Sequence, residues 1–360
     1  MGKAAVRSRT AEHRPAVRVP AFIPDIEAGI GGRDWLGRTV TDLFAGGGGS
    51  SEGLFQAGYK IRISTNHDPE SVATHEANHP DTEHRTADLT NTNFGSYPRT
   101  DVLWASPSCR KQRPTSKQGS VEDELRMDTF DKVDRATAFA VLAATEVHGY
   151  DAVIVENVPK FLDWVLKPLI TQGMQLLGYR EQVVFLNAAD VGPNPPPQDR
   201  RRVFLVYTRD GNVDLTVPEV VRTPATAILD QSIPSNDPDM SRTYLAPQLA
   251  SIPVKNVPHL VTFRKNARAR RADCSLLQTL CAGGRHHALA TVTDEGTDVR
   301  WLSTLELARA QGFPDSYVFL GSDTTVRKQI GNAVSVNVAR FLGERVADAL
   351  GWREPGLVAA

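Results

Sequence analysis

Cysteine is scarce. The 360-residue chain carries three, Cys109, Cys274 and Cys281. So small and odd a number excludes a disulfide framework and fits a reducing, cytoplasmic setting. Long apolar runs are missing as well, so neither a membrane-spanning helix nor a membrane partner is expected. The basic residues near the start have no apolar stretch behind them and do not read as a secretory signal. Excess charge of either sign is also lacking. The formal net charge is −1, which argues against a protein that coats nucleic acid with its whole surface but leaves room for one positive cleft. Lysine is rare: of 41 basic residues, 10 are Lys and the other 31 are Arg. That bias is read first as a GC-rich genome and second as phosphate contacts. Against these absences stand 41% hydrophobic and 23% charged residues, ordinary proportions for a chain with a sizeable core.

Residues 1–37 hold Arg7, Arg9, Arg14 and Arg18 among prolines, without periodicity, and are expected to form a loosely ordered tail. At Thr39 the pattern changes. Residues 39–44 (TVTDLF) read as a strand, Gly46 to Gly49 as a tight turn, and 50–57 as a helix. The alternation continues with a strand over 61–66, a helix over 68–78, and a strand end near Asp88. Further strands are expected at 101–105, 151–156 and 202–207, with helices over 129–148 and 161–178. Alternating strands and helices predict an α/β fold, a doubly wound, mainly parallel sheet with helices on both faces, in a domain over 38–209. A second, smaller domain is placed at 210–298, where prolines are frequent. Residues 299–360, helical over 303–311 and 333–349, are expected to return to the first domain.

Ligands of such sheets bind outside the carboxyl ends of the strands, and chemistry-bearing residues collect there. The glycine cluster opens a helix, so its backbone can approach a ligand closely. It matches neither a phosphate loop nor the dinucleotide fingerprint, and half of such turns are only turns. Asp68 and Asp88 follow at strand ends, each able to accept from a ribose hydroxyl or an amino group. Asp68 serves equally well as a helix N-cap. Cys109 stands in the loop SPSCRKQ after a strand. Arg110 and Lys111 favour its thiolate, and a thiolate is a nucleophile. Lone cysteines are more often inert packing, as Cys274 and Cys281 are expected to be. Cys109 has no CxxC partner, so no metal is expected. Glu156 ends the strand DAVIVE, where a carboxylate is costly without a partner or a task. Arg200 and Arg202 share one side of a strand beginning, suiting a phosphate, a carboxylate or an electron-rich ring, or only solvent.

In order, these motifs resemble those of the cytosine-5 DNA methyltransferase family. DLFAGGGG is similar to its first cofactor motif, and SPSC to its Pro-Cys nucleophile motif. Glu156-Asn157-Val158 matches its Glu-Asn-Val motif, and Gln198, Arg200 and Arg202 match its Gln-x-Arg-x-Arg motif. RWLSTLELARAQGFPD (300–315) and QIGNAVS (329–335) resemble its last two. The resemblance runs from about residue 39 to 349, apart from the variable region 210–298. Any one motif is weak, and the ordered set is specific.

The resemblance implies a class I, Rossmann-like methyltransferase fold using S-adenosyl-L-methionine, with a smaller target-recognition domain at 210–298. It implies Cys109 as the nucleophile on carbon 6 of a flipped cytosine, with Glu156, Arg200 and Arg202 as its catalytic partners. The cofactor would be lined by Phe44, Ala45, Gly46, Gly48, Gly49, Asn66, His67, Asp68, Asp88, Leu89, Pro107, Asn332 and Ala333. Duplex DNA would meet Arg110, Lys111, Arg264, Lys265, Arg268, Arg270 and Arg271. Such an enzyme, bacterial or phage-encoded and nucleoid-associated, would act as a monomer, with a cognate restriction endonuclease as its companion.

The chain departs from the family pattern in four ways. Ser108 and Arg110 flank Cys109 where the family has Pro and Gln. Asn66 stands in place of a ribose-binding Glu, and Ser335 in place of Pro. The interval from Cys109 to Glu156 is long. Three other readings stay open. An RNA methyltransferase of this fold would carry a Cys-Phe-Thr signature, which is absent. A silent DNA-binding homologue would not need Cys109, Glu156, Arg200 and Arg202 together. A nicotinamide oxidoreductase would leave Cys109 and Glu156 without roles.

Overall fold

Strands with apolar side chains on both faces need cover on both faces. The computed structural model describes residues 35–108, 137–234, 245–252, 254–264, 266–283 and 285–353. Strands β1 (Thr39–Leu43), β2 (Lys60–Asn66), β3 (Glu83–Thr86), β4 (Val102–Ala105), β5 (Ala152–Asn157), β6 (Arg180–Asn187) and β8 (Arg201–Thr208) form a seven-stranded sheet. Its order is β3-β2-β1-β4-β5-β8-β6. Pairing is parallel throughout except at β8, which runs antiparallel to both neighbours. Strand β4 shows the two-sided burial: Val102 and Trp104 join the core on one face, Leu103 and Ala105 the core on the other, as alternation requires.

The first face is covered by α1 (Gly49–Gln56) and α8 (Val336–Ala349), through Leu54, Val338 and Leu342. The second is covered by α3 (Phe139–His148) and α4 (Lys167–Leu176), through Val141, Ala144, Ile170 and Met174. α2 (Pro69–Asn78) packs beside β2 and β3. Helices α1 and α8 approach so closely that a Cβ on Gly53 would stand 2.3 Å from the Val336 carbonyl oxygen.

A second sheet is antiparallel, in the order β10-β9-β12-β13, built from β9 (His259–Thr262), β10 (Arg270–Arg271), β12 (His287–Val292) and β13 (Thr297–Trp301). The short helix α5 (Ala246–Ala250) precedes it. Val261, Ala288, Ala290 and Trp301 form its own small core. Leu260 on β9 joins a core shared with α6 (Thr304–Ala310) and α7 (Asp323–Asn332). A two-residue ladder, β7 (Gln198–Asp199) beside β11 (Leu277–Gln278), stitches residues 277–278 to the segment leading into β8.

The expected strands and helices up to Asn157 are present with ends shifted by a residue or so, though residues 129–136 of the expected helix 129–148 lie outside the described residues. Differences follow later in the chain, where the second sheet and α5 also had no expected counterpart. The expected helix 161–178 is a 3-10 turn at Pro159–Asp163 followed by α4. Strand β6 was not foreseen: an edge strand pairs on one side only, and its polar Arg180, Glu181 and Gln182 hide the alternation. Helix α7 was missed because only Val326 and Ile330 give it an apolar stripe, and the expected helix 333–349 begins at Val336 instead.

Candidate active site

The candidate site begins where β1 ends. Phe44 sits at φ 62°, a left-handed conformation unusual for a bulky residue. Gly46 and Gly48 take φ 56° and 95°. A Cβ on Gly49 would stand 2.2 Å from the Val334 carbonyl oxygen, and one on Gly48 2.2 Å from Tyr317 Oη, whereas Gly46 faces open space. One side of the turn is therefore pressed onto residues 333–334 and Tyr317, and the other is open to a ligand. Tyr317 Oη donates to the Gly47 carbonyl at 2.7 Å, and Ala45 is buried.

The ends of β2 and β3 lie beside this turn. Asn66 is buried, and its Oδ1 accepts from the Asp68 amide at 3.0 Å. Asp68 is the N-cap residue of α2, and its Oδ2 accepts from Ser71 Oγ at 2.6 Å; His67 beside it is exposed. Asp88 is exposed, and hydrogen bonds from the Thr90 amide and hydroxyl, at 2.9 and 2.7 Å, hold its carboxyl below the usual range. Leu89 is buried under it. Asn332 is exposed at the end of α7, and Ala333 is buried. A turn open on one face and rimmed by Asp68 and Asp88 suits a ligand with hydroxyl and amino donors and a positive charge. S-adenosylmethionine has that chemistry.

The second half of the candidate site lies where β4 and β5 end and antiparallel β8 begins. Glu156, partly buried at the tip of β5, is paired with Arg202 by a 3.1 Å contact from Nε to Oε1. The neighbouring Asn157 is buried, and its Nδ2 donates to the Pro107 carbonyl at 3.4 Å. The Ser108 amide donates to Thr137 Oγ1 at 3.2 Å, so the interval 109–136 leaves and rejoins the described fold at one place. Cys109, Arg110 and Lys111 lie outside the described residues.

Arg200 occupies a different position. It is almost completely buried, and its terminal nitrogens donate to the carbonyls of Leu280, Gly331 and Ala333. Burial, aided by the nearby Arg202 charge, pushes its guanidinium down to about 9. It thus clamps the segment after β11 and the end of α7 behind Arg202. Gln198 does the same: it donates to the Ala310 carbonyl at 2.7 Å and accepts from the Leu280 amide at 3.0 Å.

The basic segment carries mixed surroundings. Arg264 is exposed and donates to Cys281 Sγ at 2.8 Å. Arg268 is exposed, and Arg270 lies in β10. Arg271 is already neutralised by Asp273. Lys265 lies outside the described residues. Sequence reasoning missed Asp42, Ser51 and His75, which pack behind the glycine turn. The one signal was Asp42, the only charged residue in β1.

Fold and site together define a class I α/β methyltransferase. The sequence model of the C-5 cytosine-specific DNA methylase family matches residues 38–267 and 231–348. The type II methyltransferase M1.HphI of Haemophilus parahaemolyticus is 27% identical over 333 residues, 86% of each chain. M.NlaX of Neisseria lactamica is 28% identical over 321 residues, covering 86% of this chain and 96% of its own. The solved Entamoeba histolytica methyltransferase EhMeth shares the fold, with a TM-score of 0.67 at 15% identity, covering 89% of this chain and 100% of that one. The chain belongs to the C-5 cytosine-specific DNA methylase family, and the family's reaction, methylation of DNA cytosine at carbon 5, is its activity.

Proposed function

We propose that the enzyme acts on one cytosine turned out of duplex DNA, with Cys109 as the nucleophile and Glu156 as the group that holds the base. Two contacts support this reading: Glu156 pairs with Arg202, and the neighbouring Asn157 donates to the carbonyl of Pro107, two positions before Cys109 in the chain. A cytosine inside the helix is out of reach, so the base must leave the stack.

Cys109 sulfur bonds to carbon 6 while Glu156 binds N3 and the exocyclic amino group, and the ring's electron density moves to carbon 5. S-adenosylmethionine, when bound, supplies a methyl group on a sulfonium. Its methyl would pass to carbon 5 and S-adenosylhomocysteine would leave; the carbon 5 proton would then go to solvent water, re-forming the 5,6 double bond as the bond from sulfur to carbon 6 breaks to restore the thiolate. Arg202 orients Glu156, and Arg200, beside it in the chain, holds the Leu280, Gly331 and Ala333 carbonyls in place. The turn from Phe44 to Gly49, with Ala45, Gly46 and Gly48, holds the cofactor together with Asn66, His67, Asp68, Asp88, Leu89, Pro107, Asn332 and Ala333. Residues 38–209 and 299–360 form the catalytic unit, and 210–298 the recognition unit, with Arg264, Lys265, Arg268, Arg270 and Arg271 on phosphates. Arg110 and Lys111 add charge beside the nucleophile. The protein works as a single chain in a bacterial or phage-infected cytoplasm, alongside a cognate restriction endonuclease.

Bisulfite sequencing of DNA from cells expressing the chain tests the reading and reports the sequence context. The purified enzyme is expected to methylate duplex DNA and leave transfer RNA untouched; the reverse preference would replace DNA by RNA as the substrate. Cys109→Ala is expected to abolish transfer while DNA binding persists, and near-normal turnover would remove Cys109 from the mechanism. Glu156→Gln is expected to lower turnover steeply with little change in cofactor affinity.

A further inference from the structure

A chain of hydrogen bonds runs from β1 to β3 behind the glycine turn. Asp42 Oδ2 accepts from Ser50 Oγ and Ser51 Oγ, both at 2.7 Å. Ser51 Oγ lies 2.8 Å from His75 Nε2, and His75 Nδ1 lies 2.8 Å from His84 Nε2. The Thr82 main chain favours the protonated His84 ring, and the main chain of His75 favours its own protonated ring. Asp42 and His75 are fully buried, and Asp42 Oδ1 has no partner among the described residues. The chain touches the turn itself: a Cβ on Gly48 would lie 3.2 Å from His75 Cδ2. Among the described residues no group of His, Cys, Asp and Glu is arranged to hold a metal ion.

Counting donors supplies one. A serine hydroxyl has one hydrogen, and a neutral imidazole has one donor and one acceptor. Suppose Ser51 donates to an ionised Asp42. His75 Nε2 must then donate to Ser51, His75 Nδ1 must accept, and His84 must donate from Nε2. With its other nitrogen bonded at Thr82, His84 then holds two protons. Suppose instead that Asp42 is protonated and donates to Ser51. Ser51 then donates to His75 Nε2, His75 Nδ1 donates to His84, and His84 is neutral. Both states keep every side-chain bond from Asp42 to His84 and contain the same number of protons. With one proton fewer, His84 keeps its bond to His75 only by giving up the donor toward Thr82; with one more, a contact in the chain has two hydrogens.

We propose that Asp42, Ser51, His75 and His84 form a one-proton relay that positions the glycine turn, so that cofactor affinity is linked to that proton. This rests on reading the turn as the cofactor site. Asp42, Ser51, His75 and His84 are positioning residues and touch no reacting atom. Burial pushes the Asp42 carboxyl up to about 7 and the His84 imidazole down, which favours the neutral state. The other ionisable groups facing the chain do not disturb the count. His79 lies 3.8 Å from Glu52, and burial lowers its imidazole to about 4, so it stays neutral. Tyr317, on the far side, is held protonated by burial, and Glu76 acts on His84 only through its charge.

Calorimetric binding of S-adenosylmethionine to the full chain from pH 6 to 9 tests the relay. Wild type is expected to weaken above pH 7 with a slope approaching about tenfold in Kd per pH unit, the limit for loss of one linked proton. Asp42→Asn keeps a donor toward Ser51 that cannot ionise, so its affinity is expected to stay flat. Titration of the His84 ring followed by nitrogen NMR is expected to move to lower pH in Asp42→Asn, because the cation loses the carboxylate that balances it. In a His75→Phe background the same substitution should leave His84 unmoved; should His75→Phe fail to fold, the Asp42→Asn comparison decides alone. Binding with coincident pH profiles in wild type and Asp42→Asn, or an unmoved His84 titration, overturns the relay and spares the functional reading. Absence of binding at every pH overturns the functional reading and the relay with it.

Discussion

Arg202 shows how one side chain can join two motifs that lie far apart in the chain. Its guanidinium meets Glu156 across the boundary between β5 and β8, which holds the carboxylate in one orientation. Arg202→Met keeps the apolar stem and removes that aim. Methyl transfer at saturating cofactor is expected to fall about a hundredfold, the scale of a misplaced catalytic group, with cofactor affinity little changed. Single-turnover assays with radiolabelled methyl would check this, and an unchanged rate would mean that Glu156 is aimed by something else. Ser335, which stands where the resemblance expects proline, also has a physical reason here: its buried hydroxyl donates to Gln311 Oε1 at 2.9 Å.

Among the elements, α6 is tied most tightly. Ser303 and Glu306 form a capping box at its start, and Glu306 also takes both terminal nitrogens of Arg300 from β13, at 2.9 and 2.7 Å. Both partners are buried. Glu306→Gln leaves the Arg300 charge in the interior without its counter-ion. A loss of about 3–5 kcal/mol is expected, as for other broken buried pairs. Urea unfolding would measure it, and a loss under 1 kcal/mol would show that Arg300 finds water instead. Because α6 also takes the Gln198 hydrogen bond at Ala310, the same variant should loosen the segment leading into β8.

For the whole molecule, pH acts on buried groups of opposite sense. His79 and His287 are lowered by burial to about 4 and about 3. Each favours its neutral form in the fold, so its stabilisation is present above the ordinary histidine value and is lost as pH falls through the folded one. Asp42, raised to about 7, behaves in the opposite way. Its contribution is complete below the ordinary carboxylate value and is lost as pH rises through 7. Between pH 4 and 7 wild type therefore loses the Asp42 contribution, and Asp42→Asn has none to lose. The stability of the variant relative to wild type is expected to rise across that window and level off above it. Urea titrations at pH 4, 5.5, 7 and 8 would check this, and a constant difference would mean that Asp42 titrates normally.

The local order of strand, turn and helix was legible in the residues up to Asn157, because two-sided apolar strands and a glycine turn leave a strong periodic signal. The candidate catalytic and cofactor residues were legible as motifs at strand ends. What the residues could not declare was which groups meet. Nothing in Arg200 says that three carbonyls from distant segments will surround it, while its near neighbour Arg202 is left to face Glu156. The antiparallel course of β8, the edge strand β6 and the chain from Asp42 to His84 depend on pairings across 9 to 60 or so positions. These energies exist only once the sheet order brings the partners together. Sequence alone determined the family, the elements and the chemical groups available. Tertiary structure decided their partners, because hydrogen-bond complementarity in a buried site belongs to the arrangement of many segments and to no single one.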